Sequence, residues 1–296
     1  MLGRVVSHQT MEKECPMIRS INAWSVPPAW TFEQVFENVA KAGFEAIELN
    51  VDAKGVSLHA LTMDTTAEEL KCVKDLSRQH NLPVTSISTS LYGDKLGGPG
   101  RDRRDQARVL LEKQLEYAEA LGADGVLVVP GGISEDWSIQ AAWGTAQESI
   151  AAMRSLIEGA PAKVGVENVW NRFFMSPFDM VRFIDGLRMN NLGAYFDVGN
   201  VAVYTQPEYW IEILGQRIVK IHVKDYQAGG VDAKAFVNLM QGGIRWRRVV
   251  RALKQAGYDG ALTAELGLIP AAPDYLLDIT NEALRRIIAM GQEEDI

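Results

Sequence analysis

Eight times along the chain, a short run of apolar or β-branched residues gives way to an amphipathic helical stretch, and this alternation restricts the possible folds more than any other feature. The runs are Ile18–Trp24, Ala46–Asn50, Val84–Thr89, Gly125–Val129, Lys163–Asn168, Gly193–Val198, Val219–Val223 and Leu262–Leu266. Several helices stop at a glycine just before the next run, as in Ala42-Gly43-Phe44, Leu121-Gly122-Ala123 and Ala256-Gly257-Tyr258. Glycine supplies a left-handed cap, and a buried parallel strand then follows as a near-continuous apolar run. The spacing of Val109, Leu110, Leu115, Ala118 and Leu121 predicts a helix over Arg104–Leu121. Thr31 is a capping signal before Phe32, and Pro83 and Pro161 punctuate helix-to-strand turns. Strand–helix alternation implies parallel pairing with right-handed crossovers, and eight units close a (β/α)8 TIM barrel. No Gly-x-Gly-x-x-Gly follows the first run, which disfavours a dinucleotide-binding sheet. At 296 residues the chain has the length of one barrel domain, spanning 18–296. Residues 1–17 read as a loose leader, with Met11 or Met17 as alternative starts.

Charge and cysteine content exclude several function classes. Thirty basic residues against 38 acidic give a net charge of −8, a surface that repels phosphate backbones, so no nucleic acid is expected as partner. The basic runs Arg101–Arg104 and Arg245–Arg248 are short, fall where helices begin and read as solvated faces. No apolar run approaches the roughly 18 residues that a membrane span needs. Cys15 and Cys72 lack the spacing of a metal site or disulfide framework, and fit packing residues in a reducing, cytoplasmic setting.

In a barrel, chemistry sits at the C-terminal ends of the strands. Strand five ends in Glu167-Asn168, strand six carries Asp197 and then Asn200, strand seven holds His222 and then Lys224, and strand eight carries Glu265. Burying one carboxylate without a partner costs several kcal/mol, and three converging carboxylates also repel one another. A divalent cation removes both penalties. Three oxygen ligands and one imidazole suit Mn2+, Mg2+ or Co2+, with Zn2+ as an alternative. His8 and His80 read as bystanders, and His59, beyond strand two, is left open.

The segments Glu167–Pro177 (ENVWNRFFMSP), Tyr195–Asn200 (YFDVGN), Ile221–Tyr226 (IHVKDY) and Gly257–Glu265 (GYDGALTAE) resemble the xylose-isomerase-like barrel superfamily. Within it they look most like the sugar-phosphate isomerase/epimerase group and its hexulose-6-phosphate isomerase-like members. That resemblance implies a metal held by Glu167, Asp197, His222 and Glu265. Three departures separate the chain from ketose 3-epimerases such as those resembling D-tagatose 3-epimerase. Phe174 follows Asn171-Arg172-Phe173 where they carry a Glu, Asn200 replaces a His, and Ala228 replaces an Arg. The superfamily also contains endonuclease IV, whose three-metal cluster needs more than the four histidines present.

The expected activity is isomerisation or epimerisation of a sugar, favouring a sugar phosphate, through an enediolate next to a carbonyl. Glu167 and Glu265 exchange the proton, while Asn168, Asn200 and Lys224 orient substrate oxygens, Lys224 attracting an anionic group. Trp24, Trp170 and Phe174 are candidate apolar walls, and Gly131-Gly132 either admits a ligand close to the backbone or is a turn. A dehydratase acting on an inosose or keto-sugar is the alternative, because it shares the enolisation step. A non-catalytic sugar-binding protein is a further one. Barrels of this group often pair, so the default expectation is a homodimer.

Overall fold

All eight expected strands form in the computed structural model, which describes residues 17–227, 229 and 233–291. They are β1 (Ile18–Asn22), β2 (Ala46–Asn50), β3 (Val84–Ser88), β4 (Gly125–Val128), β5 (Lys163–Glu167), β6 (Leu192–Asp197), β7 (Ile218–Val223) and β8 (Ala261–Ala264). Neighbours pair in parallel around a closed ring, with β1 lying between β8 and β2. Residues 1–16 of the leader, with His8 and Cys15, and Ala228 lie outside the described residues, while Met17 is buried in the core.

The helices are α1 (Phe32–Lys41), α2 (Ala67–Gln79), α3 (Arg101–Leu121), α4 (Ile139–Ala152), α5 (Arg154–Gly159), α6 (Pro177–Leu187), α7 (Val198–Ala202), α8 (Pro207–Leu214), α9 (Trp246–Gln255) and α10 (Pro273–Met290). Thr31 starts α1 with a full capping box, its hydroxyl accepting from the Gln34 N–H while the Gln34 side chain accepts from the Thr31 N–H. Helix α3 begins three residues before its expected start and stops at Gly122, whose φ of 82° provides the left-handed cap. Its inner face buries Leu110, Leu111 and Leu115 against the barrel, each contributing about 1.5–3 kcal/mol. Val109, counted with that face in the sequence, points to solvent instead.

Several expected strand ends fall a residue or two later than the observed ones, because polar side chains stop the ladder. The Asn22 side chain accepts from the Trp24 N–H and turns the chain into the short 3-10 turn Ala23–Ser25. Asp197 caps α7 in the same way. Two other expectations need correction. Cys72 is exposed on α2 rather than packed. The run Arg245–Arg248 is no simple solvated face, since Trp246 is buried and Arg245 pairs with the buried Glu208 at 2.6 Å.

The loops that follow β3 and β4 meet backbone to backbone. A Cβ on Gly132, where φ is 112°, would fall 2.5 Å from the Gly98 amide nitrogen. The close approach permitted by Gly131-Gly132 is therefore taken up by a neighbouring loop. Gly132→Ala should cost about 3 kcal/mol, combining a disallowed conformation with overpacking. A urea midpoint unchanged from that of the parent would contradict this.

Candidate metal centre

Glu167 is the last residue of β5 and Asp197 the last of β6; His222 is the penultimate residue of β7, and Glu265 directly follows β8. The parallel register sets Asp197 beside His222. One ligand atom from each of these four side chains lies within 4.8 Å of the other three. His222 Nδ1 is 3.3 Å from Glu167 Oε1 and 3.6 Å from Glu265 Oε2. Ligands about 2.1 Å from a six-coordinate ion stand roughly 3 to 4 Å apart, so the spacing fits a divalent cation at the centre.

Asp197 supports the same fit. Its Oδ1 accepts the Asn200 N–H at 2.8 Å. Its Oδ2 is buried and accepts no well-formed hydrogen bond, although Lys224 Nζ lies 2.9 Å away. A buried carboxylate oxygen left in this state is costly unless a cation completes it.

The protein's own charges hold the cluster together. Lys224 Nζ lies 2.6 Å from Glu265 Oε2, bridging Glu265 and Asp197. Burial disfavours the ammonium, but Asp197, Glu265 and Glu167 outweigh it and keep the lysine charged. Burial pushes the Glu167 carboxyl up to about 7, against the pull of His222, and the charges of Glu265 and Asp197 add to the rise. Burial also raises Asp197. It acts on Glu265 too, yet Lys224 and His222 hold that carboxyl below its ordinary value.

A fifth buried group escaped the sequence reading. Glu48, on β2 and fully buried, accepts from His222 Nε2 at 2.6 Å and from Ser86 Oγ at 2.5 Å. Asn22 and Tyr195 donate to it as well. Burial favours its neutral form, but the His222 charge and these donors bring its pKa down to about 2. The signal was present, since Glu48 sits inside Ala-Ile-Glu-Leu-Asn, an ionisable group in an apolar run like the other four. Asp225 was also missed. It accepts from the Tyr226 and Ile244 amides at 2.8 and 3.2 Å and from Trp246 Nε1 at 2.9 Å, pinning the excursion after β7 back onto α9.

Several expected substrate contacts have other work. Asn168 uses both ends of its amide on the Asp197 backbone, donating to its carbonyl and accepting from its N–H, each at 2.9 Å. It therefore clamps the backbone of a candidate metal ligand. Lys224 is bridged by two carboxylates and so is no free receptor for a phosphate. Phe174 is buried in an aromatic cluster with Trp143, Phe173 and Phe183. Trp24 donates to Asp52 Oδ2 at 2.8 Å. Trp170 lies edge-on to Phe236, with ring centroids 5.6 Å apart, and Phe236 in turn lies under Lys224 Nζ at 5.3 Å. Asn200 is buried beside Asp197 on α7. His59 is structural, both ring nitrogens lying within hydrogen-bonding distance of the carbonyls of Trp30 and Ala23.

Comparisons with known proteins agree with this architecture. A family model described as xylose isomerase-like TIM barrel matches residues 36–285. An uncharacterized protein of Methanocaldococcus jannaschii is 27% identical over 157 residues, covering 51% of this chain. The match covers 53% of that protein, so the chain spans about half the length of this curated relative. Among solved structures, a D-tagatose 3-epimerase-like protein superposes with a TM-score of 0.75 at 20% identity, covering 92% of this chain and 98% of its own. An IolI protein with a bound zinc atom superposes at 0.77 and 14%, with the same coverage. The 3-keto-D-glucoside 4-epimerase YcjR of E. coli superposes at 0.73 and 14%, covering 92% and 99%. At these identities the likeness concerns the fold.

Proposed function

The chain belongs to the xylose isomerase-like TIM barrel family, and from that premise we propose that it is a divalent-metal-dependent sugar isomerase or epimerase working at the carbon next to a carbonyl. The observation that carries the reading is the quartet Glu167, Asp197, His222 and Glu265, gathered at the barrel mouth with one ligand atom of each within 4.8 Å of the others. A divalent ion bound there supplies Lewis-acid polarisation of the substrate carbonyl. Asp197 and His222 act as fixed ligands, one clamped by Asn168 and the other by Glu48. Glu167 and Glu265 reach the centre from β5 and from the end of β8, and take and return the proton. Trp170 and Phe236 exclude water beside Lys224.

A phosphate on the sugar loses its main support, because the ammonium expected to receive it is already neutralised. We therefore place free sugars and keto-sugars alongside sugar phosphates as the substrate class. Dehydration is the second reading because it shares the enolisation step and differs only in the loss of water that follows.

One experiment separates these readings. The Mn2+-loaded protein is incubated in D2O with ketoses, ketose phosphates and keto-sugars, and carbon-bound deuterium is followed by NMR. Exchange without loss of water supports isomerisation or epimerisation. Exchange with a new double bond makes the protein a dehydratase. Neither exchange nor a new product from any compound would leave only a binding role.

Metal affinity should rise with pH. Glu167, raised to about 7, and His222, held above the usual imidazole value by Glu48 and Glu167 despite its burial, must both release protons to the incoming ion. Each displaced proton strengthens binding by about tenfold per pH unit below the corresponding pKa. Calorimetric titration with Mn2+ between about pH 6 and 8 should show tighter binding at the alkaline end, and a flat profile would contradict the ligand set.

A further inference from the structure

A histidine ligand has two nitrogens, and which one meets the metal depends on what the other is bonded to. In His222 the two face opposite ways. Nδ1 faces Glu167 and Glu265 at the centre of the quartet. Nε2 points down the barrel to Glu48 Oε1 at 2.6 Å. An ionised carboxylate only accepts, so Nε2 is the donor in that bond. A neutral imidazole carries one proton, and with that proton on Nε2 the lone pair of Nδ1 is aimed at the metal position.

Glu48 is itself immobilised. Oε1 also accepts from Asn22 on β1, while Oε2 accepts from Ser86 on β3 and from the Tyr195 hydroxyl on β6. Strand β2 lies diametrically opposite β6 in the ring of eight, so this carboxylate reaches across the barrel and is gripped from both sides. Its donors leave it no reason to rotate, and it contributes no atom to the quartet.

We propose that Glu48 is a positioning residue that selects Nδ1 of His222 as the metal ligand by holding Nε2 as a hydrogen-bond donor beneath the site. The proposal rests on the metal-centre reading above. Its consequence is that part of the affinity for the ion resides in a side chain that is not itself a ligand. Losing such an outer partner typically weakens metal binding by about 10–100-fold.

The test uses protein labelled with 15N-histidine and loaded with Zn2+, which is diamagnetic. The His222 ring proton should appear on Nε2, far downfield because of the short bond to a carboxylate. In Glu48→Gln that proton should move upfield, and the Zn2+ dissociation constant should rise by about 10–100-fold while thermal unfolding stays cooperative. Two results would overturn the proposal. One is a Zn2+-loaded parent protein whose His222 proton sits on Nδ1, a measurement that needs no variant to fold. The other is a folded Glu48→Gln that binds Zn2+ within about twofold of the parent. Failure of the metal reading itself looks different, since the parent would then bind no stoichiometric Zn2+ and Glu167→Gln would change nothing.

Discussion

Glu167→Gln and Glu265→Gln are each expected to lower turnover by about 10²–10⁴-fold at saturating Mn2+, the usual contribution of a positioned proton carrier. Glutamine keeps the shape of the side chain and one oxygen for the metal, but cannot take a proton from carbon. The loss should therefore fall on kcat once the ion is saturating, whereas a change in metal affinity is removed by titration. The two positions are not equivalent in the metal-free site. Burial brings the Glu167 carboxyl to about 7, while the Lys224 and His222 charges hold Glu265 ionised despite its burial. Deuterium incorporation should fall in parallel with turnover, because both report the same bond to hydrogen. Two fully active variants would show that proton transfer runs through other groups.

Lys224→Met should destabilise the metal-free protein by about 3 kcal/mol, roughly 6–12 °C in melting temperature. Removing the ammonium leaves Asp197 and Glu265 with one fewer counter-charge in a site that also holds Glu167 and Glu48. Removing one partner of a buried ion pair costs about 3–5 kcal/mol, and the lower end applies because the Glu265 side chain is 23% exposed. A divalent ion restores neutrality, adding about 2.7 kcal/mol at a concentration 100 times its dissociation constant. The upward shift in melting temperature on adding Mn2+ should therefore be larger in the variant than in the parent. Equal shifts, with an unchanged metal-free melting temperature, would mean that the lysine does not balance the site.

The barrel was legible because parallel strands buried on both faces appear as unbroken apolar runs, and because glycine marks where each helix must stop. The quartet was legible for a related reason. Glu167, Asp197, His222 and Glu265 interrupt four consecutive apolar runs, and the fold gathers them within 4.8 Å. Glu48 interrupts an apolar run in the same manner, yet its strand stands apart from those four in sequence. Only ring closure brings β2 across from β6 and β7. The task of Asn168 was hidden because a strand-end amide has the same composition whether it meets a sugar or a neighbouring backbone. The ion pairs of Lys224 were not legible either. Its carboxylates lie 27 and 41 positions away along the chain, a pairing that exists only once the strands are side by side.

The glycine contact between the loops after β3 and β4 bears on how this barrel can be altered. Gly97 and Gly98 meet Gly131 and Gly132 through bare backbone, so neither loop has a side chain that can be trimmed to make room. A length change in one has to be matched by the other. For redesign the pair behaves as a single cassette, to be transplanted together or left alone. Asp225, just after β7, makes three hydrogen bonds to Tyr226, Ile244 and Trp246, and Phe236 lies against Lys224, so a change in that part of the chain reaches the metal centre directly.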